Sequence, residues 1–143
     1  MTRSILSVFA AILFVTNASA QETRVVDRKD ADSKVMLEEK VSGYLSELNG
    51  KYKLRVTETT YKPGGYTGEH QHVGPGLRVV TAGELTFAQD GKTRIYKPGE
   101  VFYESGDVTN AACNKGNVPA VVLIFEILPV DWKGGSAVPP KSK

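Results

Sequence analysis

His70 and His72 are the only two histidines in the 143-residue chain, and they stand two residues apart. On a β-strand alternate side chains leave by the same face, so both imidazoles can point inward and converge on one ion. Imidazole nitrogen binds zinc, iron, copper, nickel and manganese, and a histidine pair with one carboxylate is a known arrangement for non-heme iron. A metal needs three or four ligands, so the pair alone is not a site. The other reading of an isolated His-x-His is an ordinary polar residue facing a pocket. Glu104, on a strand-like run from Val101 to Glu104, is the candidate pocket acid, because a buried carboxylate needs a partner that the histidines or Arg78 could supply. Its neighbour Tyr103 reads as a core aromatic.

The elements that would carry these residues are strands. Tyr52, Leu54, Val56 and Glu58 alternate with Lys53, Arg55, Thr57 and Thr59, which reads as a strand with one apolar face. Further strand-like runs cover Arg78 to Thr81, Glu84 to Gln89, Thr93 to Lys97, Val101 to Glu104 and Val118 to Leu128. Between them stand Gly74-Pro75-Gly76, Asp90-Gly91, Pro98-Gly99, Ser105-Gly106 and Lys115-Gly116-Asn117. Short strands at regular spacing with such punctuation predict an all-β sandwich or barrel. Asn49-Gly50 reads as a type I′ hairpin turn. Lys34 to Leu48 is ambiguous between helix and strand and leans to extended, because Gly43 weakens a helix.

The segment from Gly64 to Gly83, GGYTGEHQHVGPGLRVVTAG, resembles the first motif of the cupin superfamily: glycine, five residues, His-x-His, a loop, glutamate, six residues, glycine. Gly64, His70, His72 and Gly83 fall on that pattern. Lys97-Pro98-Gly99-Glu100, Gly106 and Asn114 resemble the second motif. The resemblance spans about residues 54 to 128 and implies a small antiparallel jelly-roll β-barrel, with a metal held by three histidines and a glutamate. This chain departs from that set. The glutamate position falls on Gly76, and the third-histidine position falls on Thr109 or Asn110. With only His70 and His72 available, the metal ligands would be this pair plus a substitute oxygen from Asn110, Thr109 or Glu104. Arg78 shares the strand parity of Gly76, the family's inward glutamate position. That would put a permanently charged fork inside the barrel, suited to a carboxylate or another small anion. The alternative is a register shift at Gly74-Pro75-Gly76 that leaves Arg78 solvated or paired with Glu104.

The rest of the chain sets bounds. Residues 1–20 have the layout of a secretory signal peptide: Arg3, an apolar run from Ile5 to Val15, and Ala18-Ser19-Ala20 before Gln21. The run is too short for the about 20 residues of a membrane span. Cleavage after Ala20 predicts a secreted or periplasmic protein with no membrane segment in its mature form. Residues 21–50 are expected to form a charged N-terminal arm and an edge strand, 51–130 the barrel, and 131–143 a flexible tail in which Trp132 could pack back. Ala120 to Val130 is read as a buried strand that Glu126 interrupts. A single cysteine, Cys113, excludes an intrachain disulfide framework and reads as a small buried hydrophobe. A net charge of +2 with scattered basic residues argues against nucleic acid. No Gly-rich loop opens a helix, so no nucleotide cofactor is expected. The resemblance also implies pairing into a homodimer through the Lys34 to Val41 edge.

Three functions remain open at this point. The first is an exported barrel that binds a small anionic ligand, with one divalent metal as its optional cofactor. The second is a metal-dependent enzyme, of dioxygenase or isomerase type, acting on a small oxygenated acid. The third is a structural or partner-binding barrel whose histidines are incidental.

Overall fold

The structure, a computed structural model, describes residues 25–141. The expected leader and the first residues of the charged arm lie outside the described residues. Nine strands follow in order: β1 (Arg28–Lys40), β2 (Tyr52–His72), β3 (Gly76–Ala82), β4 (Leu85–Gln89), β5 (Lys92–Tyr96), β6 (Val101–Glu104), β7 (Asn110–Cys113), β8 (Ala120–Pro129) and β9 (Ala137–Val138). All pairings are antiparallel, and no helix occurs among the described residues. The main order is β5-β4-β7-β2-β8-β3-β6, with β1 and β9 both added to β2. The result is a nearly closed all-β jelly roll. The arm is already strand from Arg28, and β7 is a short strand that the sequence reading did not mark.

β2 organises the barrel because it is long enough to serve two sheets. Its first half pairs with β1 and β8, and its second half with β7. The bend between them falls at Gly64-Gly65, where Gly64 has a φ of 76° and a Cβ on Gly65 would overlap the carbonyl of Asp30. Asn114 locks this corner: its amide donates to the carbonyls of Tyr61 and Val118. The type I′ turn sits at Asp90-Gly91, where both residues have positive φ and join β4 to β5. At Asn49-Gly50 only Gly50 does, so the type I′ expectation fails there.

Inward and outward faces differ from expectation on β2. Lys53 and Arg55 are buried, whereas Leu54 is half-exposed. The polar face of this strand lines the barrel interior. Tyr103, expected in the core, is 58% exposed, while Phe102 beside it is buried. The apolar core comprises Tyr61, Val80, Leu85, Phe87, Phe102, Ala112, Ala120 and Val122. Phe87 and Tyr96 both pack on Phe102, with ring centroids 4.6 and 4.2 Å away. Cys113 is half-buried rather than fully buried. The residues after Pro129, expected to be loosely ordered, fold back over one side of the barrel and end in β9 against Gln71 and His72.

Candidate metal centre

The end of β2 delivers His70 and His72 to the same interior face, with Glu69 before them exposed and Gln71 between them buried and donating its amide to the Asp107 carbonyl. Each ring has its Nδ1 committed. His70 Nδ1 lies 2.7 Å from the carbonyl of Gly68, which can only accept, so Nδ1 carries the proton. His72 Nδ1 lies 3.0 Å from Glu126 Oε1, again an acceptor. In the neutral state both Nε2 atoms therefore present lone pairs, and they face each other at 3.1 Å. Two lone pairs at that distance repel unless a proton or a cation lies between them. Two metal bonds of about 2.1 Å across this gap would enclose roughly 95°, a normal angle between neighbouring ligands.

Glu104 completes a triad. Its carboxylate lies 3.9 Å from His70 Nε2 and 3.4 Å from His72 Nε2, and one ligand atom from each residue falls within 4.8 Å of the others. Glu104 reaches this position because it is the cross-strand partner of Gly76. The acid missing from Gly76 is thus supplied by the facing strand. A Cβ at Gly76 would overlap the Phe125 carbonyl and the Arg78 guanidinium, so the glycine gives that side chain its room.

Arg78 is only 2% exposed and points inward with Val80, but Ala82, beyond a register irregularity, is exposed. Arg78 is not a free fork. Its Nε pairs with Glu104 at 2.5 Å and its Nη2 with Glu126 at 3.4 Å, leaving Nη1 without a partner. Asn110 is the cross-strand partner of His70 and fully buried, but it does not line the cavity. Its amide donates to Val108 and its Oδ1 has no partner.

Three charged residues of this interior were not singled out from sequence. Glu126 lies at the centre, taking His72, Arg78 and Arg55 on its two oxygens. Arg55 and Lys53 extend the charged wall, both paired with Glu38. Strand parity could have found Glu126, since it shares the inward face of Val122 and Leu128. The site holds three cations against three carboxylates, so its charge balances while the imidazoles are neutral. Burial alone would raise the carboxyl of Glu104, but the His72 hydrogen bond and the Arg78 and histidine charges hold it down to about 2. Burial opposes the charge on Glu126 too, and His72 and Arg78 outweigh it, leaving its carboxyl below the usual range. For His70 burial wins and lowers the ring. Burial also works against charge on His72, but its hydrogen bonds to the Glu104 and Glu126 carboxylates overcome it and raise the ring.

The residues present fit a divalent metal. The two nitrogens are held in the metal-binding tautomer, a carboxylate stands beside them, and the orphaned Asn110 Oδ1 lies in the strand behind His70. Glu126 on His72 Nδ1 is the carboxylate–histidine arrangement common behind metal ligands. Beside the centre lies a cavity of about 740 Å³. Lys53, Arg55, Thr57 and Thr59 form one wall, Leu85, Phe87, Phe102 and Val122 the apolar end, and β1 with residues 132–137 much of the remaining lining.

Comparison with known proteins agrees with this architecture. Residues 57–126 match the family model described as Cupin_2, the cupin domain. A comparison with curated proteins finds no match. Among solved structures, an uncharacterized conserved protein with a double-stranded β-helix domain from Klebsiella pneumoniae is 20% identical, with a TM-score of 0.55, covering 78% of this chain and 86% of that one. KdgF from Halomonas sp. is 16% identical, with a TM-score of 0.54 and coverages of 70% and 84%. The DMSP lyase DddQ from Ruegeria pomeroyi is 22% identical, with a TM-score of 0.52 and coverages of 63% and 45%. This chain thus spans less than half the length of the DMSP lyases it matches. Residues 57–126 thus match the cupin domain model, and the jelly roll around them is the fold of these solved structures.

Proposed function

We propose that the protein is an exported cupin barrel that holds one divalent metal ion on His70, His72 and Glu104 and binds a small anionic ligand beside it. The observation that carries this reading is the pair of Nε2 atoms, 3.1 Å apart beside Glu104, with each Nδ1 turned to an acceptor on Gly68 or Glu126. A divalent ion bound there supplies a Lewis acid that polarises an oxygen of the ligand. Without a metal the charged groups balance, so the interior offers an anion little net attraction. Adding the ion makes the site positive. The ligand is therefore a small acid that binds with the metal, its polar group toward Arg55 and Arg78 and its body toward Leu85 and Phe87. The leader supports export, and the half-exposed Val35 and Leu37 on β1 support a homodimer through that strand.

Elemental analysis of the protein made without a histidine tag tests this directly. The expected result is close to one equivalent of metal, lost in His70→Ala. A metal-free protein whose stability ignores divalent ions would leave the structural or partner-binding reading instead. The metal-dependent enzyme reading draws support from the cavity of about 740 Å³ and from DMSP lyases that share the fold. It requires turnover that depends on the bound metal.

A further inference from the structure

The cupin match ends at residue 126, yet one hydroxyl in the interior comes from beyond it. After β8 the chain turns at Trp132 and runs back across the cavity, held at successive points. Lys53 Nζ donates to the Trp132 carbonyl at 2.8 Å, and Arg55 Nη1 to the Gly134 carbonyl at 2.7 Å. Val73 N donates to the Ser136 carbonyl at 3.0 Å, and β9 then pairs with Gln71 and His72. This lays Ser136, 8% exposed, directly behind the metal centre. Its hydroxyl donates to Glu126 Oε1 at 2.5 Å, and its oxygen lies 3.1 Å from His72 Nδ1. The Nδ1 proton of His72 is therefore shared between Glu126 and Ser136.

Glu126 Oε1 is contested. It also faces Arg78 Nη2, while Oε2 faces Arg55 Nη2, each at 3.4 Å. Both guanidiniums compete with His72 for this carboxylate, and the Ser136 hydroxyl makes a shorter hydrogen bond to Oε1 than either of them or His72. We propose that Ser136 is a positioning residue of the metal centre. Together with Glu126 it clamps the Nδ1 proton of His72, so that Nε2 stays turned toward His70 and Glu104. The inference rests on the metal reading above, and it assigns the C-terminal segment a part in the site rather than in closure of the barrel alone. Ser136 is not one of the residues that would ligate the ion, which are His70, His72 and Glu104.

The test compares untagged full-length wild type, Ser136→Ala and Ser136→Thr, with urea melts confirming that each is folded. Cobalt(II) affinity is read by chelator competition and by the visible absorption of the bound ion. The His72 ring-nitrogen shifts are read by ¹⁵N NMR on metal-free protein at a pH where both rings are neutral. His70→Ala assigns the two rings. Loss of a partner behind a ligating histidine costs about 10–100-fold in metal affinity, and for one hydroxyl about tenfold is expected. Ser136→Ala should show that loss together with a changed His72 tautomer signal, and Ser136→Thr should restore both. Wild-type affinity and unchanged signals in Ser136→Ala overturn the proposal. Equal losses in both variants also overturn it, because the shape of the segment would then matter and the hydroxyl would not. If wild type binds no cobalt, the metal reading fails separately. The NMR arm then decides: a hydroxyl-dependent His72 tautomer upholds the positioning role, and an unchanged one removes it.

Discussion

The two ends of the barrel interior are made by the same strands with the same inward parity, yet they are chemical opposites. At one end β2 and β8 turn Lys53, Arg55 and Glu126 inward, and β3 and β6 add Arg78 and Glu104. A few rungs along, the same strands contribute Thr59, Tyr61, Val122, Ala120, Val80 and Phe102. The apolar end accounts for stability in the ordinary way, through burial of side chains against one another. The charged end works against it. Ions taken out of water are costly, and buried pairs recover that cost only with full hydrogen bonding. Here Arg78 Nη1 and Arg55 Nε stay unpartnered. A barrel selected for stability alone would carry apolar side chains throughout, so the charged end points to binding.

The largest effect that would sharpen this contrast comes from Arg78→Met. It leaves Glu104 and Glu126 buried with one fewer cation, and breaking such a pair costs about 3–5 kcal/mol. Urea melts should show that loss in metal-free protein. Adding Glu104→Gln and Glu126→Gln should recover much of it while metal binding is abolished. If the triple substitution is no more stable than Arg78→Met alone, the charged end contributes to stability after all.

Next in size is the response to pH. With its carboxyl held down to about 2, Glu104 stabilises the fold wherever it is ionised in both states. That contribution is fully present above the unfolded value of about 4.3 and is lost as pH falls toward 2. The shift corresponds to about 3 kcal/mol in metal-free protein. His72, whose ring is raised, acts in the opposite sense. Its contribution is present below about 6.5 and fades as pH rises through the folded value. His70, whose ring is lowered by burial, opposes His72 over the same range, because the unfolded chain takes up its proton first as pH falls below about 6.5. Metal-free wild type should therefore lose stability most steeply below about 4.3, and Glu104→Gln should flatten that acid side. Leu85→Ala, at the apolar end, should lower the whole curve by about 2–5 kcal/mol without changing its shape. A changed shape would mean that the two ends are coupled.

Much of the apolar end was legible in the sequence, because period-two alternation and Gly or Pro punctuation are local signals. Strand parity also places Arg78 and Val80 inward, as observed, and stops working at Ala82, where a register irregularity intervenes. The charged end was harder to read. Lys53 and Arg55 form the polar face of β2, and a polar face ordinarily turns to water, whereas here the interior itself is polar. Glu126 looks like an interruption of an apolar run until its parity with Val122 and Leu128 is noted. Tyr103 failed for the mirror reason: an aromatic side chain lay on the outward face. Ser136 carries no local signal, because its role comes from a chain reversal that pairs β9 with β2.

The smallest predicted effect lies on the boundary. Thr59 follows Arg55 and Thr57 on the inward face and precedes Tyr61, so it is the last polar rung before the apolar end. It is 1% exposed, and its hydroxyl meets Ser33 Oγ of β1 at 2.9 Å. Thr59→Val extends the apolar end by one rung. Ser33 is exposed and keeps its bond to Arg28, so no buried partner is left stranded. The expected loss is about 1 kcal/mol or less by urea melt, with metal affinity unchanged. If metal binding weakens as well, the hydroxyl rungs belong to the functional end, and the boundary lies between Thr59 and Tyr61. If neither quantity moves, the polar interior is confined to residues that touch the ionic network, and the Thr59 bond to Ser33 adds nothing measurable to the hold on β1.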